Sequence, residues 1–130
     1  MDTSVWVDFF ADRPGWQADR LASEIAQERL VGLTDVVYTE VLQGIQEKAH
    51  LRITERKLLQ FPVLRLEGLD DFRMAAQLYR SARRNGHTIR NTTDCLIAAV
   101  CVRERMPLLH NDVDFRRLAE CSDLQIVSPD

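Results

Sequence analysis

Four acidic residues carry the chemistry this sequence could perform. Asp2 opens the chain in "MDTSVWVDFF", and Glu40 lies in a helical segment that follows "LVGLT". Asp94 falls in the first turn of "TTDCLIAAVCVRER", and Asp112 follows "PLLH", with Asp114 two residues on. Two carboxylates about 4 Å apart repel by about 4 kcal/mol at an effective dielectric near 20. A divalent cation between them removes that conflict. With oxygen ligands alone the expected ion is hard, Mg²⁺ or Mn²⁺. Zinc is disfavoured, because His50, His87, His110 and the cysteines show no ligand spacing. An acid-only cation site suits phosphoryl chemistry: one metal lowers the pKa of an attacking water and a second stabilises the leaving oxygen.

Each acid also has a plainer explanation. Asp94 and Asp112 stand where acids favour a helix N-terminus by about 0.3–1 kcal/mol each. Glu40 lies about 60° around the helix from Val37, at the edge of an apolar stripe. There it either reaches solvent or points into a polar pocket. Asp2 has no helix-interior explanation.

The elements that must position these acids alternate along the chain. "SVWVDFFADR" has helical spacing through Val5, Trp6, Phe9 and Phe10, and Pro14-Gly15 breaks it. "WQADRLASEIAQER" reads as a second helix with Leu21, Ala22 and Ile25 on one face. "LVGLT" reads as a strand entering a helix capped by Thr34-Asp35 and striped by Val37, Val41 and Ile45. A further helix near 50–60 stops at Phe61-Pro62, and "VLRL" is a strand. "LDDFRMAAQLYRSARRNG" is a long amphipathic helix closed by Gly86. "TTDCLIAAVCVRER" starts on threonine caps and is apolar nearly all round, so it is a buried helix. "PLLH" is a short strand, "NDVDFRRLAE" a capped helix and "LQIV" a last strand. Strands alternating with helices predict a single α/β domain over 1–130, a parallel central sheet sandwiched by helices on both faces. In such sheets ligands bind beyond the carboxyl ends of the strands, where the four acids fall.

Composition bounds the rest. The 130 residues suit one domain, 45% apolar and 28% charged, with no run approaching a membrane span. No signal peptide precedes the domain, so the expected location is cytoplasmic. Net charge is -3, which excludes a generic polyanion binder. Of the 17 basic residues 15 are Arg, whose planar fork suits phosphate or carboxylate. Cys95, Cys101 and Cys121 read as reduced, unreactive core residues.

Four blocks together, "MDTSVW", "TEVLQG", "TIRNTTDCLIAA" and "LLHNDVDF", resemble the PIN-domain ribonucleases, and more narrowly the VapC toxins of toxin–antitoxin pairs. The resemblance covers nearly the whole chain in order and spacing. It implies a Mg²⁺- or Mn²⁺-dependent endoribonuclease with one or two ions. It further implies a homodimer inhibited by a small VapB antitoxin, and products with 5′-phosphate and 3′-hydroxyl ends. Carried over by position, Asp2, Glu40, Asp94 and Asp112 are the metal-holding catalytic acids, Ser4 the supporting hydroxyl and Asp114 a fifth, supporting acid. This chain departs from the family at two places. His110 stands where members commonly have Thr or Ser two residues before the fourth acid, which points to an indirect role or none. Only Met1 precedes Asp2, where members place a few apolar residues as the central strand. Either the natural start lies upstream, or the first strand is very short and Asp2 is weakly held.

RNA phosphates also need cations at the rim. "RSARRNGHTIR" supplies Arg83, Arg84 and Arg90 as candidate backbone contacts, and Arg90 could instead pair with a pocket carboxylate. Trp6, Phe9, Phe10 and Phe115 read as core or dimer residues rather than base-stacking platforms. A response-regulator receiver is disfavoured, since no Lys follows Lys57, and a haloacid-type phosphatase lacks its second early acid. The remaining alternative is a catalytically silent PIN-fold interaction module.

Overall fold

The computed structural model describes residues 1–129 as seven helices around a thin parallel sheet. The helices are α1 (Thr3–Phe10), α2 (Trp16–Ala26), α3 (Asp35–Gln43), α4 (Lys48–Leu58), α5 (Leu69–Arg84), α6 (Thr92–Glu104) and α7 (Val113–Glu120). Among the described residues only β1 (Leu33–Thr34) and β2 (Val63–Leu64) form a regular ladder, parallel, with Leu33 opposite Val63. "PLLH" and "LQIV" meet in a single parallel bridge, Leu108 to Ile126.

Backbone hydrogen bonds reveal the wider sheet. The Met1 amine donates to Gly32 O at 3.3 Å, and Asp2 N donates to Leu109 O at 2.9 Å. Leu108 N then reaches Gln125 O, and Val127 N returns to Leu108 O. The lateral order is therefore β2, β1, Met1–Asp2, residues 108–109, residues 125–127. The first two residues stand in the middle of the sheet. Asp2 is consequently buried and tied on both flanks, not loosely attached as its position in the sequence suggests. On the β2 side, Gly32 permits the close approach of Pro62: a Cβ there would lie 3.1 Å from Pro62 O.

Local chemistry explains the helix ends. Thr34 caps α3 by accepting from Val37 N at 3.1 Å, as its hydroxyl predicts. Asp112 caps α7 by accepting from Asp114 N at 2.9 Å. The N-cap of α6 is Asn91 rather than a threonine, and its side chain makes no capping bond. That helix ends on Arg105 in the left-handed region (φ 55), two residues before Pro107. Ile45 lies past the end of α3, so only Val37 and Val41 of its stripe are buried there. On α2 the buried pair is Ala18 and Leu21, and Ala22 is exposed.

The core gathers Trp6, Leu21, Leu33, Val37, Leu58, Ile97, Leu108, Leu109, Phe115 and Leu118, all at most 1% exposed. Trp6 and Phe115 are thus core residues, one of the two roles, core or dimer contact, expected of them. Cys95 and Cys101 are buried free thiols, and burial raises the Cys95 pKa to about 11, which keeps it unreactive. Asp71 on α5 accepts from Glu67 N and pairs with Arg103 of α6, fastening the two longest helices together. Among the described residues no helix is long and apolar enough to cross a membrane.

Candidate active site

Asp2, Glu40, Asp94 and Asp112 line one cleft of about 330 Å³. Each arrives on a different element. Asp2 stands at the N-cap position of α1 without a side-chain capping bond, Glu40 projects from the last turns of α3, Asp94 lies in the first turn of α6 and Asp112 caps α7. Asp94 is the most strongly perturbed of the four. Its Oδ2 is buried and has no hydrogen-bond partner among the described residues. Burial, then the charges of Asp2, Asp112 and Glu40, push its pKa up to about 7. Burial likewise raises Asp2, opposed by a hydrogen bond from Ser4 Oγ at 2.9 Å.

The other acids each hold a donor. Thr3 Oγ1 donates to Glu40 Oε1 at 2.7 Å, and Arg90 donates to Asp112. Among the described residues no three His, Cys, Asp or Glu side chains converge closely enough to hold a metal ion as they stand. The donor set nevertheless fits a hard divalent cation. It is all oxygen, it converges on one cleft, and the orphaned Asp94 oxygen is an acceptor that nothing in the protein satisfies.

Asp114 is not in this cleft. It is wholly buried beneath it, and accepts from Arg90 N and Nε at 3.1 Å each and faces Arg117 at 3.4 Å. Burial alone would raise its pKa, but the N–H groups and charge of Arg90, with Arg117, hold it below the usual carboxylate range. Its contacts are to Arg90 and Arg117 rather than to the cleft. His110 Nδ1 accepts from Asp112 N at 3.2 Å, and burial lowers its pKa, which keeps that nitrogen free to accept. Arg83 and Arg84 are exposed at the end of α5.

Five cleft residues were not singled out by sequence reasoning: Thr3, Val7, Asp8, Arg13 and Asn111. Thr3 is the middle letter of "DTS", and its hydroxyl was the only signal that it could serve an acid. Asp8 and Arg13 line the cleft and pair with each other at 3.4 Å. Nothing in the sequence separates Arg13 from the other arginines, because the turn after α1 is what brings it back to the cleft. The Thr3 contact makes a clean prediction. Thr3→Val should weaken Mn²⁺ binding about tenfold by freeing Glu40, while Thr3→Ser stays close to wild type. Equal titration curves for Val and wild type would show that Glu40 needs no support.

The PIN domain family model matches residues 1–120, a span that includes all four acids. This chain is a PIN domain. The PIN domain is similar to VapC ribonuclease Mb1587 of Mycobacterium bovis and to ribonuclease VapC11 of Mycobacterium tuberculosis. Identity to each is 36% over 132 residues, covering 98% of this chain and 96% of the relative. These matches place it in the VapC branch of the PIN family, as the four sequence blocks predict. A solved structure of VapBC2 from Rickettsia felis, bound to a DNA fragment from their promoter, shares the fold. Its TM-score is 0.76 at 15% identity, over 97% of this PIN domain and 94% of that chain.

Proposed function

We propose that this PIN domain is the toxin of a VapBC-type pair, an endoribonuclease that uses Mg²⁺ or Mn²⁺ held by Asp2, Glu40, Asp94 and Asp112. The observation that carries this reading is the buried, partnerless Oδ2 of Asp94 among three further cleft acids. A divalent cation held by these carboxylates would activate water and offset charge on the phosphoryl group. The protein's part is to hold the four carboxylates on four elements, with Thr3 fixing Glu40 and Ser4 fixing Asp2. No nucleophilic side chain is needed. Arg83 and Arg84, exposed at the end of α5, would meet RNA backbone phosphates. The names of the relatives support ribonuclease activity, and the VapBC2 neighbour supports a VapB-type antitoxin as partner. A homodimer follows from the family resemblance.

The test is direct. The purified protein should cut RNA with Mg²⁺ or Mn²⁺, leaving 5′-phosphate and 3′-hydroxyl ends, and stop on chelation or on addition of its antitoxin. RNA binding without cleavage under these conditions would instead favour the silent interaction module.

A further inference from the structure

Arg90 lies in the loop between α5 and α6, four residues before Asp94. Its side chain is 63% exposed, which by itself would suit a phosphate contact. Its hydrogen bonds point elsewhere. Nε donates to Asp114 Oδ2 at 3.1 Å, and Nη2 donates to Asp112 Oδ1 at 2.7 Å. The Arg90 backbone N–H gives a third bond to the same Asp114 oxygen, at 3.1 Å. Asp114 is wholly buried, so this end of the bridge is fixed in the protein interior.

The Asp112 end is the functional one. Its Oδ1 accepts from both Arg90 Nη2 and Asp114 N, the latter at 2.9 Å. Those two donors saturate one oxygen and set the plane of the carboxylate. Among the described residues Oδ2 accepts no hydrogen bond, which leaves it available to an ion. A guanidinium fork orients a carboxylate as a point charge cannot. Swinging Arg90 out to an RNA phosphate would strip charge-assisted donors from a buried carboxylate, which is costly.

We propose that Arg90 is a positioning residue: anchored on buried Asp114, it fixes the Asp112 carboxylate in the orientation that metal binding needs, and it does not contact RNA. This rests on the reading of Asp112 as a metal ligand. The same bonds bind the 85–91 loop to the start of α7, so Asp94 and Asp112 keep their relative place.

Three measurements decide it. In a metal-free unfolding cycle, Arg90→Ala and Asp112→Ala should be non-additive, because they remove the same bond. By calorimetry, Arg90→Ala and Arg90→Lys should both bind Mn²⁺ about tenfold more weakly, since lysine keeps the charge and loses the fork. In cleavage, both should lower kcat while KM stays within about twofold. RNA binding, followed in an Asp94→Asn background, should keep its salt dependence in Arg90→Ala. The double variant Arg83→Ala, Arg84→Ala is the control for phosphate contacts, with a slope reduced by about two. Several results would overturn the idea. Lysine restoring wild-type Mn²⁺ affinity would mean that charge alone matters. Tighter Mn²⁺ binding in Arg90→Ala would mean that Arg90 opposes the ion. A salt slope shallower by about one with unchanged Mn²⁺ affinity would make Arg90 a phosphate contact. Additive unfolding energies would remove the bridge itself. A wild-type protein that gives no Mn²⁺ heat would refute the metal site, and the unfolding cycle would still decide the bridge.

Discussion

Asp94→Asn should abolish RNA cleavage and Mn²⁺ binding, and at the same time make the metal-free protein more stable at pH 8. The first effect follows from charge. Asp94 is the acid with no donor of its own, so its oxygen is the one that most needs a cation. Asn keeps the shape and removes the charge. We expect cleavage to fall by roughly a thousandfold or more, the scale of losing a preorganised charge at a reacting centre.

The second effect follows from the pKa. Burial and the neighbouring acids raise Asp94 from 3.8 to about 7 in the folded chain. An acid raised in this way contributes its full share of stability below pH 3.8, where it is protonated in both states. That share is lost as pH rises toward 7, because the unfolded chain ionises first. At pH 8 the folded wild type carries an ionised, crowded carboxylate that Asn does not. Melting in chelator should therefore favour Asn at pH 8 and show little difference near pH 4. A variant that melts below wild type at pH 8 would mean that Asp94 is held by donors rather than waiting for a cation.

Much of this site was legible before any coordinates. The acids follow from strand–helix alternation: in a parallel sheet the residues just past the strands share one edge. Asp2 and Asp112 stand just past strand positions, Glu40 and Asp94 arrive from helices α3 and α6, and all four line one cleft. The caps at Thr34 and Asp112 were readable too, since both act within three residues. The sheet was harder. Apolar runs such as "PLLH" and "LQIV" mark the strand positions, but the number of ladder bonds depends on neighbours far away in sequence, and here it shrinks to one bridge.

Asp114 shows a different limit. Two residues from Asp112, it looks like another cleft acid, and a carboxylate is rarely fully buried unless paired. The pairing partners, Arg90 and Arg117, come from another loop and from the next turn of α7. Only the folded chain shows that they enclose it. Thr3 and Glu40 are 37 residues apart, and no local pattern predicts their bond. Thus the acids that repel one another were predictable by type and place. Of the donors that keep them oriented, Ser4, two residues from Asp2, was readable, and Arg90 was readable as one of two alternatives; Thr3 was not, because it reaches Glu40 by tertiary contact.

The pH dependence of metal binding should expose that repulsion directly. Below pH 7 the folded protein holds a proton on Asp94, and binding an ion there requires its release. Mn²⁺ affinity should therefore fall about tenfold for each pH step below 7 and level off above it. Asp2 is raised as well, chiefly by burial, so the fall should steepen at lower pH as a second proton competes. Calorimetry in buffers of different ionisation heat reads the protons released: about one per ion near pH 6, and close to none at pH 8. Cleavage at limiting Mn²⁺ should follow the same curve. Raising Mn²⁺ at pH 6 should recover most of the lost rate, which separates this competition from any direct effect of hydroxide on the hydrolysis. An affinity that is flat between pH 5.5 and 8 would mean that Asp94 is ionised throughout, and the crowding of four acids around an open cation position would have to be abandoned.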